Sequence, residues 1–462
     1  MPYRIAFISL GCAKNQVDCE LMLSRTVGAG FELTRRMADA DAIVVNTCSF
    51  IAPAIEEADG QIREALRYKE RGRCKAVLVA GCLPQYLQQR RFEQYPQVDG
   101  WLTPDNPGQA GELLLALLNP DDLDPAAAIA QSASAASAGQ LPLPRFLASA
   151  ADGRVVSTPP SYAYVKIAEG CDHRCAFCII PQLRGPYRSR PMPDIIEEVR
   201  GLVHGGTPEI ILVSQDCTYY GCDSGGPQLI DLLAAICEIP GEFWLRVLYL
   251  YPRDFPDALL RAWAQLGPKL LPYFDIPLQH VSPTILRAMQ RGEVDNGIDN
   301  LLSSIRSVMP QAVIRTSLIA GFPGETEADF KMLLEWVESG TADRVGVFAY
   351  SDLPEMASHQ LPAHIPEKEV QRRREQLMLA HQSAYERNAV RFVDSVFESI
   401  IESRQRQAGT KPWTNFARTW REAPGIDGMV LLASDRELPL HKRLSIRITG
   451  VQGVDLRGIQ VI

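Results

Sequence analysis

The sequence lacks any long apolar run. The longest, residues 113–118, is far shorter than the roughly 18 apolar residues that a membrane-spanning helix needs. The apolar residues 5–10 end in Leu-Gly-Cys, as a secreted lipoprotein signal would, but they fall below the roughly 7 to 15 residues of a signal-peptide core. We therefore expect no membrane segment, and we interpret residues 5–10 as a buried strand.

Basic charge is also in short supply. The chain has 47 Lys and Arg against 55 Asp and Glu, a net charge of -8, which argues against a protein that coats nucleic acid through bulk electrostatics. Its 11 cysteines are an odd number in a long chain. They favour a reducing, cytoplasmic compartment in which thiols bind metal or react rather than pair.

The 462 residues suggest about three domains. Residues 1–118 alternate β-branched runs at 4–10, 42–47 and 76–80 with helical patterns such as 54–70, which predicts an N-terminal α/β domain with a parallel sheet. Residues 119–160 are rich in Ala, Ser and Pro and are interpreted as a linker.

Residues 161–390 resume the alternation of strands and helices. Six strand patterns predict a complete or partial (β/α) barrel, with its chemistry at the carboxyl ends of the strands; they lie at 162–168, 209–214, 243–249, 273–276, 313–320 and 344–350. A charged helix follows at 367–390, in which the basic run 372–374 is interpreted as a solvated face. Residues 391–462, with short strands and Gly-rich turns, predict a small β-barrel.

The sharpest motif is the C-x3-C-x2-C of Cys171, Cys175 and Cys178, directly after the first strand of the second domain. Three cysteines can hold a four-iron cluster and leave one iron without a protein ligand, free for a substrate or cofactor. A structural zinc site is the first alternative, although zinc normally takes four ligands and no second pair follows. A buried helical stripe is the second, since these positions share a helix face.

A second set of cysteines follows the three N-terminal strands. Cys12, Cys48 and Cys82 each come immediately after one strand. The carboxyl ends of strands in an open parallel sheet converge on one crevice, so the three thiols are expected to meet there. The alternative is three inert core thiols, because free cysteine packs as a small hydrophobe.

Several polar residues at predicted strand ends are weaker candidates. Gln215 and Asp216 follow the second barrel strand and are positioned to contact cofactor or substrate, with a polar strand cap as the equal alternative. Gln279 and His280 end the fourth strand, and a structural histidine is the favoured interpretation. His173, inside the cluster loop, is explained equally well by solvation.

The cluster loop resembles that of the radical S-adenosylmethionine superfamily, whose usual pattern includes an aromatic residue at the position of Phe177. The resemblance implies that S-adenosylmethionine chelates the free iron and is cleaved to a 5'-deoxyadenosyl radical. The segment 321–325, with Gly321 and Gly324, resembles the glycine-containing stretch near the cofactor in this superfamily, where glycine permits close backbone approach. An ordinary strand-to-helix turn explains the segment as well.

The order of the three modules resembles the methylthiotransferase family along almost the whole chain, with the last module as its TRAM domain. The segments 9–15, 164–170, 275–280 and 423–428 resemble the branch that acts on a ribosomal protein. Cys19, which stands where this branch usually has serine, and the loop 410–421 depart from it.

That resemblance implies methylthiolation of an aspartate β-carbon in the small-subunit ribosomal protein S-twelve. One [4Fe-4S] cluster on Cys171, Cys175 and Cys178 would generate the radical, and a second on Cys12, Cys48 and Cys82 would carry the sulfur. A second S-adenosylmethionine would supply the methyl group. A strongly reducing electron donor of the flavodoxin or ferredoxin type is implied as a partner.

Two other functions compete. A tRNA methylthiotransferase would share the chemistry, and the aromatic residues of the loop 410–421 interleave with basic ones as RNA binding favours; these are Trp413, Phe416, Trp420, Lys411, Arg418 and Arg421. The overall acidity and the segment 423–428 weigh against it. A non-enzymatic zinc scaffold is the other alternative, which iron and zinc contents would distinguish.

Overall fold

The computed structural model describes residues 2–119, 141–253, 255, 257–291, 297–405 and 413–461. Half of the predicted linker, residues 120–140, lies outside the described residues, as do residues 410–412 of the barrel loop, including Lys411. None of the helices in the described ranges combines the length and apolar character that a bilayer span requires.

The N-terminal region is a parallel sheet covered on both faces. Its strands are β1 (Arg4–Ser9), β2 (Glu32–Thr34), β3 (Ala42–Thr47), β4 (Ala76–Gly81) and β5 (Gly100–Leu102). Its helices are α1 (Ala13–Gly28), α2 (Ala52–Arg71), α3 (Cys82–Leu87), α4 (Arg90–Gln94) and α5 (Ala110–Leu118). The strand order is β2-β1-β3-β4-β5, and β3 and β4 are buried at every position. The predicted parallel-sheet architecture is confirmed.

The second region contains eight strands and eight helices among the described residues. The strands are β6 (Ala163–Lys166), β7 (Ala168–Glu169), β8 (Arg188–Ser189), β9 (Glu209–Val213), β10 (Trp244–Val247), β11 (Tyr273–Asp275), β12 (Val313–Ala320) and β13 (Arg344–Ala349). The helices are α6 (Ile180–Arg184), α7 (Met192–His204), α8 (Leu229–Cys237), α9 (Asp257–Gln265), α10 (Pro283–Ala288), α11 (Ile298–Val308), α12 (Glu327–Ser339) and α13 (Glu367–Ala389).

Six of these strands form the partial barrel that the sequence predicts. β6, β9 and β10 pair in parallel, as do β11, β12 and β13. A parallel bridge between Leu245 and Leu270 joins the two sets. The predicted strand at 162–168 is broken after Lys166, and β7 pairs instead with β8 in an antiparallel ladder. This ladder brings the chain back beside the start of the cysteine loop and so closes the loop at its base.

The C-terminal region is a closed five-stranded barrel, as predicted. Its strands are β14 (Val396–Gln405), β15 (Trp413–Thr419), β16 (Val430–Ser434), β17 (Arg443–Gln452) and β18 (Asp455–Gln460). They are ordered β14-β15-β16-β18-β17, and β14 pairs with β17 to close the ring. The loop after β15 leaves this barrel and packs Ala423 into an apolar cluster with Tyr164, Trp244 and Tyr273 of the partial barrel.

The interpretation of residues 372–374 as a solvated face is wrong for Arg373. Its side chain is only 7% exposed and lies 2.6 Å from Glu325, itself fully buried. Arg373 also pairs with Glu369 one turn earlier on α13. Arg372, by contrast, is exposed, as expected. The run of three basic residues hides this difference because neighbouring helix positions face different directions.

Candidate active site

The cysteines Cys12, Cys48 and Cys82, called here the N-terminal trio, lie at the carboxyl edge of the N-terminal sheet. Cys12 directly precedes α1, Cys48 follows β3, and Cys82 is the first residue of α3. The parallel direction of β1, β3 and β4 brings all three loops to one edge. Cys48 and Cys82 are buried, whereas Cys12 is exposed, so the trio opens to solvent on one side.

Glycine permits the close approach of these loops. Gly11 has φ of +92°, and a Cβ there would lie 2.8 Å from the Cβ and 3.3 Å from the Sγ of Cys48. Gly81 has φ of +93°, and a Cβ would lie 2.4 Å from the carbonyl oxygen of Thr47. Side chains other than hydrogen therefore do not fit beside Cys12 and Cys82.

Polar side chains fix the same loops to one another. Asn15 donates hydrogen bonds to the carbonyls of Leu10 and Thr47, at 2.5 and 3.2 Å. Asn46 donates to the carbonyl of Asn15 at 2.8 Å. The Thr47 hydroxyl donates to the carbonyl of Ala80 at 2.6 Å. Each strand end is thus tied to its neighbour through a buried polar side chain.

Burial and nearby charged groups change the pKa values of two thiols of the N-terminal trio. Burial, together with the nearby Cys82 and Cys12, raises the pKa of Cys48 to about 12. Burial also raises the pKa of Cys82; Cys12 adds to the rise, and the Arg184 guanidinium opposes it. The hydrogen bonds of Asn15 and Thr47 and the close approach of Gly11 to Cys48 place the three cysteine loops side by side, so the sequence-predicted trio is brought to one edge of the sheet.

Cys171, Cys175 and Cys178, called here the loop trio, lie on the segment between β7 and α6. The Cys171 amide donates to the carbonyl of Gly185 at 3.1 Å, and the Cys178 amide donates to the carbonyl of Cys175 at 3.1 Å. Gly170 has φ of +81°, and a Cβ there would lie 2.0 Å from the carbonyl oxygen of Pro186. The loop is therefore held at its base and folded back on itself.

The loop thiols also influence one another. Burial, with smaller contributions that include Asp216 and Cys175, raises the pKa of Cys171 to about 12. Burial raises the pKa of Cys178, and Cys175 and Cys171 add to the rise. A guanidinium lies at the third thiol: the Nη1 of Arg291 is 3.6 Å from the Sγ of Cys175. This trio, too, is gathered in one place.

Within the described ranges, no group of three or more His, Cys, Asp or Glu side chains is arranged to hold a single metal ion. A four-iron cube contacts each cysteine through a different iron atom, so its ligands are not required to converge on one point. Each trio offers three thiols. A four-iron cluster that leaves one iron without a protein ligand needs three cysteines and no fourth ligand, so the donor set of each trio fits such a cluster.

The two trios face the same junction between the N-terminal sheet and the partial barrel. Lys14, two residues after Cys12, donates from Nζ to the carbonyl of Ser214 at the end of β9, at 3.2 Å. The same Nζ lies 3.6 Å from the ring centre of Tyr249, just after β10. Carboxyl ends of strands from both regions therefore meet.

A buried ionic network, called here the junction network, links the N-terminal region to the segment that carries the loop trio. Arg184 ends α6, six residues after Cys178, and its Nη2 donates to the Sγ of Cys82 at 3.3 Å. Its Nη1 pairs with Asp18 of α1 at 2.6 Å and Glu169 at 3.3 Å. Lys166 pairs with both carboxylates. Sequence reasoning missed Arg184, since nothing local to its position indicates a partner in another domain.

Gln215 belongs to this network as well. Its amide donates to Glu169 Oε1 at 2.8 Å. Although burial alone would raise the pKa of Glu169, Lys166 and Arg184 outweigh it and hold that pKa well below its usual range. Glu169 is therefore an anion, and Gln215 is fixed by it at the end of β9.

Asp216 lies on the other side of the loop trio, against His173. The His173 Nε2 is 2.7 Å from Asp216 Oδ2, and its ring stacks on Tyr251 with 3.7 Å between centres. These residues line a cavity of about 330 Å³ together with Arg174, Tyr187 and Tyr219. The structure thus places Asp216 beside a space large enough for part of a small molecule.

Phe177, Gly321 and Gly324 lie nearby in the same half of the barrel. Phe177 packs, partly buried, against an apolar cluster that contains Ile319 and Phe322. Gly321 has φ of +80°, and a Cβ would lie 2.6 Å from Val370 of α13. A Cβ at Gly324, φ +85°, would meet nothing within 4 Å. The close approach at Gly321 is to the helix, while Gly324 borders open space.

Gln279 and His280 do not end the fourth barrel strand, because β11 stops at Asp275, but both have local partners. The Nδ1 of His280, fully buried, accepts a hydrogen bond from the Ser282 amide at 2.9 Å, and its Nε2 is 3.5 Å from Glu325. The backbone N–H of Gln279 donates to the carbonyl of Ser317 at 2.8 Å. This environment is that of a structural histidine.

Three protein-family models match successive parts of the chain. Uncharacterized protein family UPF0004 matches residues 4–103, the Radical SAM superfamily matches 165–337, and the TRAM domain matches 395–461. Among solved structures, the radical S-adenosylmethionine methyltransferase TsrM from Kitasatospora setae, with cobalamin and a [4Fe-4S] cluster bound, is similar at a TM-score of 0.55 and 15% identity. The likeness covers 78% of this chain and 77% of that one and shows the fold.

Curated relatives match over nearly the full length. The ribosomal protein uS12 methylthiotransferase RimO of Myxococcus xanthus is 38% identical, covering 98% of this chain and 91% of that protein. The RimO of Pelotomaculum thermopropionicum is 38% identical, with 100% of each covered. The RimO of Thermus thermophilus is 38% identical, with 99% of each covered. At this identity and coverage, the chain belongs to the RimO family of ribosomal protein uS12 methylthiotransferases.

Proposed function

We propose that the chain is a radical S-adenosylmethionine enzyme that inserts sulfur and a methyl group at the β-carbon of an aspartate in ribosomal protein uS12. The observation that carries this function is the pair of cysteine trios, which the short helix that ends at Arg184 connects: Arg184 donates to Cys82, and the next residue, Gly185, accepts from the Cys171 amide. One trio would suffice for cleavage of the cofactor alone. The transfer of sulfur to carbon requires a second cluster, and the second trio provides its ligands. The names of the full-length relatives support the substrate.

Cys171, Cys175 and Cys178 would hold the [4Fe-4S] cluster that binds S-adenosylmethionine, and they are the catalytic residues. Cys12, Cys48 and Cys82 would hold a second [4Fe-4S] cluster. The fit is supported by the donor chemistry: cysteine side chains bind iron as thiolates and lose their protons when they do so. An arginine beside one thiol of each trio supports the same assignment, because it can donate to a coordinated sulfur.

The reaction demands chemistry that side chains do not offer. The C–H bond at the aspartate β-carbon is not acidic enough for a general base. When bound, the clusters and S-adenosylmethionine supply the one-electron chemistry that breaks such a bond, together with the sulfur and the methyl group. The protein's share is to bind these groups, orient them and exclude water.

Several residues are placed to bind and orient S-adenosylmethionine. Phe177, Gly321, Gly324, Gln215 and Asp216 would border S-adenosylmethionine around the carboxyl ends of the barrel strands. Asp216 is held by the Thr218 amide and hydroxyl, at 2.8 and 2.7 Å, which fixes its carboxylate before a ligand arrives. Such preorganisation avoids a cost of ordering upon binding.

Water exclusion is the task of the barrel interior. The apolar side chains that fill it from one end are fully or nearly fully buried, and α1 contributes to them from the N-terminal region; they include Val17, Ile211, Val213, Trp244, Leu248 and Tyr273. The loop after β15 adds Ala423 to the same cluster. A reactive species at the carboxyl ends of the strands would thus lie on a buried, apolar surface.

The proposal extends to partners, compartment and domain limits. A low-potential donor of the flavodoxin or ferredoxin type would supply the electron, and the modification of a ribosomal protein would occur in the cytoplasm. The chain would divide into a methylthiotransferase α/β domain (1–118), a linker (119–160), a radical S-adenosylmethionine barrel (161–390) and a TRAM barrel (391–462). The ranges that the three family models match support this division.

The tRNA alternative loses its main support in the segment 410–421, most of which is the strand β15 and not a loop. Arg418 and Arg421, which interleave with aromatic residues in the sequence, are both buried. Arg418 pairs with Glu209 at 2.5 Å, and Arg421 lies 3.5 Å from Asp343. Both arginines therefore bind carboxylates of the partial barrel and are not presented to phosphates.

Mass spectrometry distinguishes the two substrates. The anaerobically reconstituted enzyme is incubated with S-adenosylmethionine, a reductant, and either uS12 or unfractionated tRNA. We expect 5'-deoxyadenosine in the reaction and a methylthio group on one aspartate of uS12. A methylthiolated nucleoside in the tRNA hydrolysate, with unmodified uS12, would contradict the proposal.

A further inference from the structure

The junction network makes a physical link between the two trios. α6 begins two residues after Cys178 and ends at Arg184, whose guanidinium reaches Cys82. The residue after Arg184, Gly185, accepts the hydrogen bond from the Cys171 amide. The short helix α6 is therefore connected to the loop trio at both of its ends: it starts two residues after Cys178, and the residue that follows it binds the Cys171 amide. It contacts the N-terminal trio through the side chain of Arg184.

Both Nη atoms of Arg184 have hydrogen-bond partners, and the guanidinium is shielded from solvent. Its side chain is 2% exposed. Beyond Cys82, Nη2 donates to Asn15 Oδ1 at 3.2 Å, and Nη1 contacts Asp18 and Glu169. Asn15 in turn ties the loops that carry Cys12 and Cys48. The position of the guanidinium relative to the sulfur is thus fixed from several directions.

The charges of the network explain why an arginine is needed there. Asp18 and Glu169 are two buried carboxylates, 4% and 6% exposed, and Lys166 and Arg184 are their two cations. The four charges cancel. A coordinated Cys82 thiolate would add negative charge at the edge of this balanced set, and the hydrogen bond from the Nη2 that faces it would stabilise that charge at a buried position.

We propose that Arg184 is a positioning residue that hydrogen-bonds the Cys82 thiolate of the N-terminal cluster and raises the reduction potential of that cluster. The inference rests on the proposed function, since it requires a cluster on the N-terminal trio. Hydrogen bonds to ligand sulfurs and nearby positive charge stabilise the more negative, reduced state of an iron–sulfur cluster. Arg184 would also fix the distance between the two centres, because the same short helix holds the loop trio.

The test uses the full-length chain with Cys175→Ala, so that only the N-terminal trio retains its three thiols. After anaerobic reconstitution, iron is counted and the midpoint potential is measured by titration followed by electron paramagnetic resonance. Arg184→Gln removes the charge and the fork of donors, and Arg184→Lys keeps the charge but loses the fork. We expect both to shift the midpoint to a more negative value, Arg184→Gln by more.

Arg190 offers a matched control. It is also 2% exposed, and it pairs with Asp194 and Glu198 and donates to the carbonyl of Lys166, so its described hydrogen bonds all go to oxygen. Arg190→Gln and Arg190→Lys remove a buried guanidinium in the same way. The Arg190 variants are expected to leave the midpoint potential of the cluster unchanged. If Arg184 had only a structural role, the Arg184 variants would leave the midpoint potential unchanged as well.

A second readout uses the enzyme with both trios intact. In Arg184→Lys we expect 5'-deoxyadenosine to form at the parent rate while the methylthiolated product per 5'-deoxyadenosine falls by about 10- to 100-fold, the usual effect of losing a partner of a metal ligand.

The outcomes separate the two proposals. If Cys175→Ala binds no iron, the proposed function fails and this inference fails with it. If Cys175→Ala binds about four irons and the iron-loaded Arg184 variants keep its midpoint, the inference alone is overturned. If Arg184→Gln binds no iron, Arg184→Lys decides: a negative shift supports the role, and an unchanged midpoint overturns it.

Discussion

At the scale of single residues, the positive-φ glycines decide how closely the cysteine loops can approach. Gly81→Ala would place a methyl group 2.4 Å from the Thr47 carbonyl oxygen and 2.6 Å from Asn46 Oδ1. We expect this substitution to destabilise the chain by about 1–3 kcal/mol and to reduce iron binding by the N-terminal trio. Thermal unfolding and iron content measure the two effects.

Gly60→Ala is the matched control for that substitution. Gly60 lies inside α2 at an exposed position, and a Cβ there would meet nothing within 4 Å. Because alanine is the better helix former, we expect a gain of about 0.5–1 kcal/mol and full iron content. Equal behaviour of the two alanine variants would mean that the loop geometry does not restrict residue 81.

The two trios predict different losses for two cysteine substitutions. Cys175→Ala is expected to abolish formation of 5'-deoxyadenosine, because the cofactor would have no cluster to bind. Cys48→Ala is expected to keep that product and to lose methylthiolation of uS12. Chromatography of the small products and mass spectrometry of uS12 measure both. Full methylthiolation in either variant would refute the division of labour between the trios.

Sequence reasoning reaches some of these residues and misses others for a physical reason. The six cysteines stand out because their types and their places after strands are properties of the chain itself. Arg184 and Arg373 do not, because their roles come from Cys82 and Glu325, partners distant in sequence. The residues next to an arginine in the sequence do not reveal whether its side chain is exposed to solvent or buried against a carboxylate.

At the scale of elements, α13 is joined to β13 through a buried histidine. The Nε2 of His381 accepts a hydrogen bond from the Val345 amide at 3.3 Å. Burial, aided by Arg344, lowers the pKa of His381 to about 4. The folded state therefore keeps this histidine neutral, whereas the unfolded chain takes up a proton as the pH falls below about 6.5.

The contact of α13 with β13 should accordingly weaken in acid. The unfolded state binds more protons between about pH 6.5 and pH 4, so stability falls as the pH falls through that window, by about 1 kcal/mol between pH 7 and pH 5.5. Hydrogen exchange in α13, corrected for the intrinsic rate, measures this loss. His381→Gln should lack it, and an identical pH dependence in that variant would contradict the assignment.

Elements with a clear period are predicted well, and the shortest ones are not. The helix predicted at 367–390 is observed at Glu367–Ala389, and the strand at 313–320 is observed at Val313–Ala320. The edge strands Glu32–Thr34 and Gly100–Leu102 carry no signal, because three residues are too few to show a repeat. The pairing of β7 with β8 depends on the fold of the cysteine loop, which no local pattern encodes.

At the scale of the whole molecule, buried ion pairs attach the C-terminal barrel to the partial barrel. Glu209 at the start of β9 is fully buried and lies between Arg246, at 2.7 Å, and Arg418, at 2.5 Å. Arg246 also donates to the carbonyls of Trp420 and Glu422. The buried guanidinium of Arg246 thus holds the loop after β15 to the partial barrel.

Removing one cation from this attachment should be costly. Arg418→Met leaves Glu209 with a single partner, and we expect a loss of about 3 kcal/mol, with faster proteolysis of the C-terminal barrel. Arg436→Met is the control, because Arg436 is exposed and its side chain hydrogen-bonds Gln460; a change within about 0.5 kcal/mol is expected. Equal thermal midpoints for the two variants would contradict a stabilising role for the Glu209 pairs.

The architecture that unites these scales is a pair of separate thiol trios facing one junction, and counting iron and sulfide in the anaerobically reconstituted chain tests it most directly. We predict about eight irons and eight sulfides per chain, which fall to about four of each when Cys12, Cys48 and Cys82 are all replaced by alanine. About four irons in the unaltered chain, or zinc in place of iron, would contradict the account.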